Sequence, residues 1–144
     1  MIGAPTSGGS ATGGSPSRIV IAVSAGELVD KVTILEIKSE RIADPAKLAN
    51  IRHELSVLGE PLAPLLAAHP GVAPLKAALR GVNESLWQIE DDIRDCERHG
   101  DFGEGFVALA RAVYRTNDRR AALKREIDTL VGSELTEEKS YAAY

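Results

Sequence analysis

Cysteine, methionine and tryptophan occur once each in 144 residues, and aromatic side chains make up only 4% of the chain. A single thiol, Cys96, excludes an internal disulfide, so stability has to come from a packed core. The hydrophobic content of 44% is enough for one in a single domain of this length. Three scattered histidines (His53, His69, His99) and that lone thiol offer no metal-ligand spacing, and no metal site is expected. Positive charge is also in deficit, with 17 Lys and Arg against 21 Asp and Glu for a net charge of -4. That balance argues against nucleic acid or an anionic membrane as a partner, since both are held by a positive field. No stretch approaches the ~20 apolar residues that span a bilayer, and no basic leader precedes an apolar core, so a cytoplasmic protein is expected.

Catalytic signatures are missing as well. There is no Ser/His/Asp order, nucleophile elbow, zinc motif or phosphate loop. Adjacent carboxylates at Glu90-Asp91-Asp92 and Glu137-Glu138 point in different directions on a helix and make no dyad. No cofactor is expected, and an enzyme is not the favoured reading.

What is present is helical periodicity. Residues 1–17, with Gly8-Gly9-Ser10 and Gly13-Gly14-Ser15-Pro16, are too poor in apolar side chains to pack and read as a disordered leader. Ile19 to Val23 is a short β-branched run, expected to form a strand or an extended clamp. Ser24-Ala25-Gly26-Glu27 reads as a capping box that starts a helix near Ala25. That helix carries Leu28, Val32, Leu35 and Ile42 on one face and further apolar surface at Ile34 and Ile37. Such two-sided apolarity means a central position in the bundle or a subunit interface. Asp44-Pro45 opens a second helix with a seam at Leu48, Ile51, Leu55, Leu58, Leu62 and Leu65. Pro61 and Pro64 predict a kink or break in it near Gly59.

A third helix is expected from about Pro74 to Arg98, with a core stripe from Leu75 to Cys96. Beside the stripe, Asn83, Trp87, Glu90 and Arg94 follow one another a turn apart. Gly100 is read as a left-handed stop, and the last helix runs over residues 106–131. Its stripe begins at Phe106, Leu109 and Val113 and resumes at Ile127 and Val131, but Thr116, Asn117, Arg120 and Lys124 interrupt it. The whole is expected to be all-α: an antiparallel bundle of about four helices over 18–133, with a short N-terminal extended segment and a tail over 134–144.

The polar interruption is the candidate site. Buried side chains of this kind need carboxylates, water, a second chain or a ligand. As a ligand pocket it would take a small anion on Lys31, Lys38, Arg41, Asn117, Arg120 and Lys124, supported by Glu27, Asn83, Trp87, Glu90 and Arg94. As a lock it would pair internally and fix register. As an interface it would select a second copy or another protein partner, with a homodimer formed through the extra apolar surface of the first helix. Association is the leading expectation. The small-anion protein, or a metal-independent enzyme using the same basic layer, is the alternative. Lys139 and Tyr141 are candidates for docking the tail. The outer stripe Arg111, Arg115 and Arg119 reads as a solvated face.

Several stretches together resemble an uncharacterised set of short bacterial proteins classed as a domain of unknown function. They are Val23 to Lys31, Leu35 to Lys38 with Glu40-Arg41-Ile42, Leu86 to Asp91, Asn117 to Arg120, and Glu137 to Tyr141. The resemblance implies that the charged seams and the tail belong to a shared pattern. It carries no activity.

Overall fold

The computed structural model describes residues 17–144, so the Gly/Ser-rich leader expected over 1–17 lies outside the described residues except for Ser17. Four helices follow: α1 (Ala25–Arg41), α2 (Pro45–Ala68), α3 (Val72–His99) and α4 (Glu104–Val131). The chain is all-α over the described residues. The segment Ile19 to Val23 forms no strand and stands in solvent, with Ile19 87% and Val20 84% exposed. A β-branched run needs a neighbouring backbone to pair with, and an all-helical body presents no sheet edge.

Local signals explain most boundaries. Ser24 caps α1, its hydroxyl accepting from the Glu27 amide at 3.1 Å. Asp44 caps α2 through the Lys47 amide at 3.0 Å, with Pro45 in the first turn, where its missing N–H costs nothing. Gly100 ends α3 at φ 64°, a conformation only glycine adopts without penalty. The break expected near Gly59 does not occur: α2 runs on through Pro61 and Pro64. Both prolines face solvent, so the carbonyls they leave unpaired can bond to water rather than force the helix apart.

The helices pack unevenly. α1 touches each of the other three, and α3 pairs with α4. At its start α1 lies against α4, and at its end against α3, where Glu36 accepts from Lys76 at 3.0 Å and Glu40 pairs with Arg80. The two apolar sides of α1 are both consumed within the chain: Val29, Val32, Leu35 and Ile37 are all buried. A central position accounts for these four residues, while Ile34 is only half-buried. Around it the core collects Leu62 of α2, Val72, Leu79 and Val82 of α3, and Leu123 and Ile127 of α4.

α3 and α4 are 28 residues each, about 42 Å, whereas the 17 residues of α1 reach about 25 Å. The surplus projects. From Glu84 to Ala122 no residue is buried, although Leu86, Ile89, Ile93, Phe106, Leu109 and Val113 keep the helical stripe going. Beyond Leu86, Trp87 and Arg120, which still meet α1, the distal part of the hairpin has only its own partner helix to pack on.

Candidate functional site

Where α1 meets α4 the backbones approach closely. A side chain at Gly26 would put its first carbon 2.3 Å from the Lys124 carbonyl oxygen and 2.9 Å from Asp128 Oδ1. Only glycine fits, and its freed amide donates to Asp128 Oδ1 at 2.6 Å while the Ala25 amide donates to Ser133 Oγ at 3.1 Å. The first amides of α1 are thus satisfied by α4 and the turn beyond it.

One turn further along α1 lies Asp30, 1% exposed. Both carboxylate oxygens are occupied: Oδ1 accepts from Arg120 Nε at 2.9 Å and from Asn83 Nδ2 at 2.9 Å, and Oδ2 pairs with Arg120 Nη2. Asn83 gives its other hydrogen to Thr33 Oγ1 at 2.9 Å, and that hydroxyl donates to the Asp30 carbonyl at 2.8 Å. The hydrogen bond to Asp30 raises the Arg120 guanidinium above its ordinary range, and burial opposes it less strongly. No buried side-chain polar atom among the described residues lacks a partner. Of the polar interruption in α4, Arg120 is thus answered by a carboxylate of α1, which the Asn83 carboxamide of α3 helps to hold in place.

The thirteen candidate residues divide into three groups. Asn117 and Arg120 come together with Asn83, Trp87, Glu90 and Arg94 in one cleft of about 530 Å³ between α1, α3 and α4. Its walls are Ile34, Ile37, Leu86 and Trp87, and its rim carries Glu90, Asp91 and Arg94. The Arg41 guanidinium sits 5.9 Å from the centre of the Trp87 ring, a cation–π contact. Glu90 pairs with Arg94 on its own helix rather than with α4. Lys31 and Lys38 instead line a smaller recess of about 230 Å³, shared with Glu27, Asp30, Glu54 and the other side of Arg120.

Lys124 belongs to a third place, the clasp of the tail. Its ammonium donates to Glu27 at 2.8 Å and to Glu137 at 2.7 Å. Glu27, expected to complete the capping box with its carboxylate, is thus drawn to α4. Burial works against the charged ammonium, but the bonds from Glu137 and Glu27 prevail and hold its pKa up. The same bond from Lys124 holds the Glu137 carboxyl below its ordinary range. Arg125 grips Glu138 through two nitrogens, at 3.0 and 2.7 Å. Tyr144 donates to Asp118 at 2.8 Å and meets Tyr114 edge-on at 5.0 Å. The tail so runs back along α4 and is held by Glu137, Glu138 and Tyr144. The expected anchor Tyr141 is 81% exposed, because the tail's acidic and terminal side chains are the ones that find partners. Lys139 flanks the hollow beside Lys124 and Asp128.

Asp30, Thr33 and Glu137 were absent from the candidates. Asp30 had a readable signal: with Gly26, Thr33 and Ile37 it repeats at helical spacing on a face otherwise buried, so it was the carboxylate positioned to answer Arg120. Glu137, in an irregular tail, had no periodicity to place it.

Among the described residues no cluster of His, Cys, Asp and Glu could hold a metal, and no helix is long and apolar enough to cross a membrane. No curated protein and no solved structure matches the chain. A family model does match, over residues 19–144, from the exposed Ile19 to the docked Tyr144. By that match the chain belongs to the family of unknown function DUF6165.

Proposed function

We propose that the protein acts through association, as a homodimer built on the distal half of the α3–α4 hairpin. The observation that supports this reading is the run from Glu84 to Ala122, apolar in pattern and nowhere buried. Phe102, Val107 and Tyr114 in the same region are 54%, 51% and 41% exposed. Two such hairpins facing one another would make a four-helix bundle, the arrangement in which a lone apolar helix pair is covered. Charge supports a second copy as the partner. α4 offers Arg111, Arg115 and Arg119 with no carboxylate in salt-bridge distance among the described residues, and distal α3 carries Asp92 with no cation in that distance among them. Light scattering on the purified chain is expected to give twice the mass of one chain at high micromolar concentration, and Leu109→Glu is expected to return it to one. A wild-type monomer under those conditions overturns the reading.

The second reading is capture of a small anion. Lys31 and Lys38 favour it, since neither has a carboxylate within salt-bridge distance among the described residues and both line the recess beside Arg120. Arg120 and Lys124 weigh against it, being committed to Asp30 and to Glu27 with Glu137. Thermal-shift screening against anionic metabolites tests it, with a rise in melting temperature expected for a ligand that binds the folded state and lost in Lys38→Ala.

A further inference from the structure

The cleft between α1, α3 and α4 carries its own chemical signature, distinct from that of the lysine recess. Asn83 is 6% exposed, and both hydrogens of its carboxamide are used on Asp30 and Thr33. The Thr33 proton already goes to the Asp30 carbonyl, so Thr33 can only accept, and the amide cannot be turned over. Its oxygen has no protein partner among the described residues, and since every buried polar side-chain atom there has one, this oxygen is open to solvent, where Asn83 lines the cleft. That is a fixed acceptor at the inner end, waiting for a neutral N–H or O–H donor.

At the mouth one carboxylate is uncommitted. Arg120 is committed to Asp30 and Arg94 to Glu90, which leaves Asp91 with no cation within salt-bridge distance among the described residues. Between the two acceptors lies Trp87, whose ring already attracts one cation, Arg41. Asn83 and Asp91 are eight residues apart on α3, about 12 Å along its axis. One ammonium cannot reach both. A ligand that satisfies them has an amine at one end, a donor at the other and an apolar, ring-sized body between.

We propose that this cleft binds an amphipathic arylalkylamine, its ammonium on Asp91 at the mouth, its ring against Trp87 and Leu86, and a neutral donor on its far end bonded to Asn83 Oδ1. A carboxylate in the place of the ammonium would meet the uncompensated Asp91. A volume of about 530 Å³ is within the range of small-molecule sites and admits such a molecule.

The single tryptophan makes the test direct. The indole N–H signal of Trp87 is followed by NMR while the full chain is titrated with tyramine, with phenethylamine, which lacks the far donor, and with 3-(4-hydroxyphenyl)propionate, which reverses the charge. Tyramine is expected to move the signal saturably at sub-millimolar to millimolar concentration, phenethylamine to bind at least fivefold more weakly, and the propionate not to bind. Asp91→Asn, an exposed substitution that leaves the melting temperature unchanged, is expected to weaken tyramine at least fivefold. An unmoved Trp87 signal, equal binding of the propionate, or full affinity in Asp91→Asn each overturns the proposal.

Discussion

The two halves of the α3–α4 hairpin have the same helical pattern and opposite fates. In the proximal half, α1 and α2 cover the stripe, and Leu79 and Ile127 are fully buried. In the distal half the same kind of stripe, at Ile89, Ile93, Leu109 and Val113, stays half-buried. The difference is length alone: α1 is 11 residues shorter than either hairpin helix, 17 against 28. Amphipathic period tells which face of a helix seeks cover, and only the neighbours' reach decides how much of it finds cover. The proximal half holds the buried core, and the distal half leaves its stripe only half covered.

The sharpest way to break that contrast is at the buried ion pair. Arg120→Ala leaves the Asp30 carboxylate buried without its guanidinium, and a loss of about 3–4 kcal/mol in denaturant unfolding is expected. Replacing both residues together, as Asp30→Leu with Arg120→Met, is expected to recover most of that loss, because the cost lies in the orphaned charge. A double variant as unstable as the single one would show that the pair contributes more than its own neutrality. Next come two truncations of equal chemistry. Leu79→Ala in the covered half is expected to cost about 3 kcal/mol and Ile93→Ala in the projecting half about 1 kcal/mol, since a cavity forms only where packing surrounds the site. Equal losses, measured on the monomer, would erase the distinction between the halves.

The smallest effect concerns the tail, which bridges both halves along α4. Glu137 is held below its ordinary value of 4.5, so its contribution is complete above that pH and is lost as the pH falls through the lower, folded value. Lys124 is held above its ordinary 10.5, so its contribution is complete below that pH and is lost as the pH rises through the folded value. Removing residues from Thr136 onward is expected to lower the melting temperature by a few degrees at neutral pH, about 1 kcal/mol. That gap should narrow toward pH 3 and toward pH 12. A gap independent of pH would mean that the ion pairs of the clasp contribute nothing.

Much of this was legible in the residues. The starts of α1 and α2 follow from Ser24 and from Asp44-Pro45, and the stop at Gly100 from the need for a left-handed residue. The polar gap in α4 pointed to Asn117, Arg120 and Lys124: Asn117 lines the cleft with α1 and α3, Arg120 meets α1, and Lys124 meets α1 and the tail. What periodicity could not supply was pairing. Lys124 and Arg120 are one turn apart on the same helix, yet they answer to different carboxylates, Glu27 with Glu137 in one case and Asp30 in the other. Which carboxylate a cation finds depends on the crossing of helices, fixed here by the close approach at Gly26. The continuity of α2 through two prolines was likewise invisible, because it depends on which side faces water. The two-sided apolarity of α1 had two meanings in sequence, and the burial of Val29, Val32, Leu35 and Ile37 within the chain supplies the central position.

The bond between the Ala25 amide and the Ser133 hydroxyl joins positions 108 residues apart. Contacts within the α3–α4 hairpin close only the turn at Gly100, whereas α1 reaches that hairpin across residues 42–71, so low contact order favours the hairpin forming first. Until α1 docks, the proximal stripe of Leu79, Leu123 and Ile127 lacks the cover of Val29 and Val32. The short first helix thus does for one half of the hairpin what nothing among the described residues does for the other.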